Sequence, residues 1–212
     1  MGTKGSEVNK VLDADALGTD RVVEAGARLG ADLRLPVESF LFLRHGRTSA
    51  NHLGIIQGQK DVPLDAVGRA QAQAAADLFR SSGMLPARIV SSDLSRAAET
   101  ARILARALGM KVESYAAELR ERHFGTVQGT SARNLLWHSD PPGAETIEAF
   151  VARCRNALQR HLGVPRTLIV AHGGVLRATA ALLGEPLVDG ARANAVPLSF
   201  KWNDRGWQIK QI

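Results

Sequence analysis

The chain has 212 residues and holds one cysteine, one tyrosine and only 5% aromatic side chains. The lone Cys154 excludes an internal disulfide framework and fits a reducing compartment. It shares one helical stripe with Ile147, Val151, Leu158 and Leu162, which makes it a core residue. With few aromatics, the core has to be built from Ala, Leu and Val. Nor is there an aromatic set to interleave with a dense basic run, so no nucleic-acid partner is expected. No apolar run approaches the ~18 residues that cross a bilayer, so no membrane partner is expected either. The opening "MGTKGSEVNK" lacks the apolar stretch of a signal peptide. Its Met-Gly start with Ser6 formally fits an acylation pattern, to which no weight is given. The expectation is a soluble, cytoplasmic protein.

What is present is a core-forming chain, 45% apolar, with 27 Lys and Arg against 21 Asp and Glu and a net charge of +6. Most of the basic residues are arginines, whose planar fork suits phosphate and carboxylate. Residues 1–36 are weakly patterned and read as an N-terminal extension. Within it, Asp20 is placed to cap a short helix through Val22, Val23, Ala27 and Leu29. Pro36 closes that segment, and residues 37–212 read as one domain.

From Val37 strands and helices alternate. "VESFLFL", "ARIVSS", "KVESY" and "TLIVA" read as strands, three of them with the continuous apolar character of buried parallel strands. Helices are expected from about Asp65 to Gly83, over "LSRAAETARILARALG", over "ETIEAFVARCRNALQRHLG" and over "VLRATAALLG", each closed by a glycine. "LSFKW" and "WQIKQI" flank "NDRG" and read as a hairpin. The fold class that follows is α/β, with a central, mostly parallel sheet and helices on both faces.

Ligands of such sheets bind beyond the carboxyl ends of the strands. "FLFL" is followed by Arg44-His45-Gly46. "ARIV" is followed by "SSDLSR", ending at Arg96. "KVESYAAEL" is followed by Arg120-Glu121-Arg122-His123, and "TLIVA" by His172-Gly173-Gly174. Composition alone yields about half a His-Gly pair in a chain like this; there are two, each directly after a buried strand. Either histidine alone reads as a structural residue, and Glu121 alone as an ordinary loop glutamate. Together they suit phosphoryl transfer. A neutral imidazole is a nucleophile for phosphorus. Arginine forks stabilise the transferring group, and a carboxylic acid protonates a leaving alkoxide. A metal site built on His45, His172, His123 and Glu121 is the rival arrangement, and the absence of metal-ligand spacing speaks against it.

"LRHGRTSAN", "QGQKDVPLDAVGRAQA", "SSDLSRAAETA", "LRERHFG", "GAET" and "VAHGG" occur in this order between Phe40 and Leu183. In that combination the chain resembles the histidine phosphatase superfamily, branch 1, the phosphoglycerate-mutase-like group. The resemblance implies a mixed central sheet and phosphorylation of His45 on a ring nitrogen. It makes Arg44, Arg96 and His172 the rest of the phosphate pocket and Glu121 the proton donor and later base. Asn51, Gln57, Gly58, Arg122, His123 and Gly173 are expected to bind substrate, with Glu145 near the rim or capping the next helix. No metal or cofactor is implied. The expected partner is a small phosphate ester, with a second copy of the chain as a further candidate.

The family holds both mutases and phosphatases. Mutases of the family carry a longer insert after the acid, whereas Gly125 to Gly143 is short here, which favours hydrolysis. Leu53, Ile55, Leu136 and Trp137 are candidates for an apolar wall, and Arg47, Arg122 and Arg133 for a second anion site. A mutase and a non-catalytic phospholigand-binding protein are the alternatives.

Overall fold

A computed structural model describes residues 20–134 and 137–212. The opening "MGTKGSEVNK" and Leu136 lie outside the described residues. Six strands form one sheet in the order β3-β2-β4-β1-β5-β6. They are β1 (Ser39–Arg44), β2 (Arg88–Ser92), β3 (Val112–Ala116), β4 (Thr167–Ala171), β5 (Pro197–Asn203) and β6 (Gly206–Gln211). β3, β2, β4 and β1 are parallel, whereas β5 and β6 are antiparallel additions at one edge. The sheet is therefore α/β and mostly parallel, as the alternation requires, with the hairpin closing on Asn203 opposite Gly206.

The helices are α1 (Arg21–Gly30), α2 (Ser49–His52), α3 (Ala66–Ser81), α4 (Ser95–Ala107), α5 (Ile147–His161) and α6 (Gly173–Leu182). Strand alternation divides the core. Leu41, Leu43, Ile89, Leu168 and Val170 face α3 and α4. Phe40, Phe42, Val90, Ile169 and Ala171 face α1, α5 and α6. The chain steps outward from β1 through β2 to β3 with its helices on one face. It then returns through β4 to β5 with its helices on the other. Crossovers of one hand in opposite directions require this arrangement. The reversal leaves the ends of β1 and β4 adjacent at the switch point. Cys154 is buried within this core, and burial pushes its thiol up to about 12.

Two elements differ from the sequence reading. α1 forms with Asp20 as its cap, but it buries Val22, Ala25 and Gly26 while Val23 is 51% exposed. The reason is close packing. A Cβ on Gly26 would lie 2.4 Å from the Ala181 Cβ, and one on Gly30 would lie 2.1 Å from the Leu182 carbonyl oxygen. Val22, Ala25, Leu33 and Val37 all belong to the same core as β1. Pro36 thus marks a change of sequence texture, and the packing runs straight through it. α6 begins at Gly173, two residues before the expected Val175, because His172 takes the N-cap position and the Gly174 N–H bonds outside the helix.

Candidate active site

Register brings the two histidines together. Arg44 pairs with Ala171, and the His45 N–H donates to the Ala171 carbonyl at 2.9 Å. The His45 and His172 rings follow side by side, with centroids 5.2 Å apart. His45 lines a cavity of about 220 Å³ together with Arg44, Arg96, Glu121, Gly173 and Gly174, while His172 is fully buried beside it.

Gly46 has two roles. Its carbonyl lies 2.7 Å from His45 Nδ1, and a carbonyl can only accept, so Nδ1 carries the ring proton. Nε2 is left with its lone pair and accepts from Arg96 Nε at 3.2 Å. A Cβ on Gly46 would lie 2.3 Å from the Gly68 carbonyl oxygen, so a larger residue there would push α3 away. Burial, with help from Arg96 and Arg44, holds the His45 imidazole well below its ordinary range, and so keeps it neutral.

Arg96 is almost fully buried at the first turn of α4. Its guanidinium donates to the carbonyls of Gly58 at 2.7 Å and Lys60 at 3.0 Å. Burial lowers it to about 10, which leaves it charged at neutral pH. Arg44 donates through Nη1 to the Arg192 carbonyl. His172 is held well below its ordinary value by burial and then by Arg96. Its Nε2 lies 2.9 Å from Ser92 Oγ, which already accepts from the Leu94 N–H. Ser92 Oγ keeps one proton and a second lone pair, so either partner can donate in this bond. Among the described residues, neither Nδ1 of His172 nor Nε of Arg44 meets a hydrogen-bond acceptor, although both are buried. Leaving the Arg44 donor unpaired is costly, and an oxygen of a bound anion would satisfy it.

Glu121 faces this group. Its Oε1 accepts from the Arg122 N–H at 2.8 Å and its Oε2 from the Gly174 N–H at 2.9 Å. A Cβ on Gly174 would lie 2.1 Å from Glu121 Oε1, so a larger residue there would displace the carboxylate. Behind it, Arg153 binds both carboxylate oxygens of Glu145, at 2.8 and 2.7 Å. The same guanidinium donates to the carbonyls of Glu118 and Arg120. Glu145 thus anchors the clamp under the Glu121 loop, while Thr146 caps α5.

Asn51, Gln57, Gly58 and Gly173 line the cavity as expected. Asn51 also closes a capping box with Thr48. Arg122 and His123, expected to bind substrate, do not line it. The Arg122 side chain is fully buried against Asp140 at 2.5 Å and the carbonyls of Ser139 and Glu145. The His123 ring is spent on the Gly143 carbonyl and Gln128. Strand-end position brought both to notice, but their side chains turn away from the cavity that Glu121 enters. The other two arginines proposed for an anion site are also elsewhere. Arg47 pairs with Asp65 at 2.8 Å, and Arg133 is exposed on a short turn. Ile55 and Trp137 do line the cavity, whereas Leu53 is 67% exposed. Besides Arg44 and Arg96, the cavity is lined by Arg177 and Arg192. Arg177 was missed; it follows Gly173 by four residues on α6, a helical spacing that puts the two on one face. Arg192 lies in a loop with no pattern to announce it. Asn194, which donates to the His45 carbonyl at 2.9 Å, was equally hidden.

Residues 40–212 match the model of the histidine phosphatase superfamily (branch 1), and the chain belongs to that family. It is 31% identical to the metal-independent phosphoserine phosphatase of Arabidopsis thaliana, over 82% of this chain and 80% of that protein. It is 37% identical to phosphoglycerate mutase-like protein 4 of the same plant, over 64% of this chain and 66% of the relative. Against two of its curated relatives the chain spans less than two thirds of their own length, 66% and 42%. The structure of mycobacterial glucosyl-3-phosphoglycerate phosphatase in complex with VO3 superposes with a TM-score of 0.67. Identity to that chain is 30%, with 82% of this chain and 98% of that one covered.

Proposed function

We propose that the protein hydrolyses a small phosphate monoester through a phosphohistidine at His45. The observation that carries this reading is the Nε2 lone pair of a neutral, buried His45, fixed by Nδ1–H to Gly46 and facing Arg96. Nε2 attacks phosphorus as the ester oxygen leaves. Arg44, Arg96 and, in its Nδ1–H tautomer, His172 supply donors to the oxygens of the transferring group, where charge spreads. Glu121, protonated in this step, gives its proton to the departing alcohol. As a carboxylate it then takes a proton from water, which attacks the phosphohistidine and restores the free imidazole. The two relatives that bear phosphatase names support the class of reaction.

The experiment is rapid quench with a radiolabelled aryl phosphate. We expect an acid-labile, alkali-stable label on the wild-type chain and none on His45→Ala, which should also lose turnover while keeping its circular dichroism. Normal turnover in His45→Ala would remove the nucleophile and with it this function.

A further inference from the structure

Each carboxylate oxygen of Glu121 accepts from a backbone donor, and one of these donors belongs to the next peptide in the chain. That peptide is planar and trans, so its C=O and N–H point in opposite directions. Whatever holds the Glu121 carbonyl therefore aims the Arg122 N–H, which reaches Glu121 Oε1 at 2.8 Å. Two side chains hold this carbonyl. Gln59 Nε2 donates to it at 3.1 Å, and Arg153 Nη2 makes a longer bond at 3.4 Å. A carbonyl can only accept, so the Gln59 amide presents its NH2 there. Arg153 also serves the carbonyls of Glu118 and Arg120 and both oxygens of Glu145, so it fixes the course of the whole loop. Gln59 bears on the one peptide.

Gln59 is itself firmly held. Its N–H donates to Gln128 Oε1 at 2.8 Å. The carbonyls before and after it, of Gly58 and Lys60, accept from Arg96 at 2.7 and 3.0 Å. The loop that Arg96 grips is thus the loop that orients the Glu121 peptide. Gln57 and Gly58 line the cavity, whereas the Gln59 side chain is engaged with the Glu121 carbonyl. We propose that Gln59 is a positioning residue for the proton donor. Its amide sets the Glu121–Arg122 peptide and so holds the carboxylate in place relative to Arg96 and His45. This rests on the proposed function for the role of Glu121. Loss of the amide leaves the carbonyl, among the described residues, to the longer Arg153 bond. The peptide can then rotate and take the Arg122 N–H off the carboxylate.

The test removes the donor and keeps the side-chain length. Gln59→Met does this, and Gln59→Lys puts a donor back. Glycerol 3-phosphate has an alkoxide leaving group that needs a proton, and p-nitrophenyl phosphate has one that does not. We expect Gln59→Met to lower kcat on the alkyl ester by about five-fold, the order of one ordinary hydrogen bond. The aryl ester should lose much less, both KM values should move little, and Gln59→Lys should recover most of the loss. In the Glu121→Gln background Gln59→Met should add nothing, the signature of two residues acting as one. Equal losses on the two esters, or a loss that persists without Glu121, would make Gln59 a structural residue only and overturn the proposal. Hydrogen exchange at the Arg122 amide reads the same peptide without turnover. It should quicken in Gln59→Met, and unchanged exchange also overturns the proposal. Should Glu121→Gln itself slow both esters alike, the proposed function loses its acid, and exchange at Arg122 still decides whether Gln59 sets the peptide.

Discussion

At the scale of single residues, the site depends on two imidazoles kept neutral by burial and by neighbouring guanidinium groups. Their folded values lie below the ordinary value of about 6.5, so between the two values the unfolded chain binds protons that the folded chain refuses. Stability should be full above that pH and fall below it, by up to about 1.4 kcal/mol per pH unit for each group. Urea unfolding at pH 7.5, 6.5 and 5.5 checks this, and His172→Gln should flatten the slope. Arg96 gives a second prediction. Lysine keeps the charge but cannot reach His45, Gly58 and Lys60 together. Arg96→Lys should raise the barrier by about 2.7–4 kcal/mol, as loss of a preorganised oxyanion donor does. Near-normal kcat/KM in that variant would show that the fork is not required. On the proposed mechanism Glu121 matters in proportion to the leaving group's need for a proton. Glu121→Gln should therefore slow an alkyl phosphate severely and p-nitrophenyl phosphate much less. Equal losses on the two esters would leave the proton donor unassigned.

At the scale of elements, the contact between α1 and α6 is made by backbone against backbone. Gly26 and Gly30 are four apart on one face, and at each a side chain would meet α6 backbone atoms at 2.7 Å or closer. Gly30→Val should force the helices apart and cost about 1–3 kcal/mol of stability, as overpacking does, measured as a lower urea midpoint. The helices themselves were legible. α4 and α5 showed their stripes, all three long helices showed closing glycines, and Asp20 caps α1 as expected, while Asp65, read as the start of α3, is its cap. The face α1 buries was not legible, because glycine gives no apolar signal and its role here is to be absent. The same holds for Gly174, whose lack of a side chain makes room for Glu121.

At the scale of the whole molecule, the proposed function sends the phosphoryl group to water rather than to a second substrate. Between Gly125 and Gly143 the described residues form two short turns, at Gly125–Val127 and Ala132–Asn134, beside a cavity that opens outward. Hydrolysis should therefore dominate. In a coupled assay on 3-phosphoglycerate with a bisphosphorylated primer, phosphate release should exceed isomerisation. Isomerisation well above phosphate release would make the chain a mutase.

The sequence by itself determined the strands, most of the helices and the residues at the strand ends, because burial of apolar runs and glycine stops are local patterns. It also pointed to His45, Arg44, Arg96, Glu121 and His172 as one group, since each follows a strand and ligands bind beyond those ends; in the fold the first four line one cavity and His172 lies against His45. Only the tertiary structure decided which of their neighbours face that pocket. Arg122 and His123 sit beside Glu121 in the chain, yet their side chains point into Asp140, Gly143 and Gln128. Arg177 and Arg192 lie far from His45 in the chain and line its cavity. Asp20 reaches Arg177 from 157 positions away. Side-chain direction at a loop, and charge pairing across the fold, are set by which backbones approach one another, and that is fixed only when the sheet order brings β1, β4 and the helices into place.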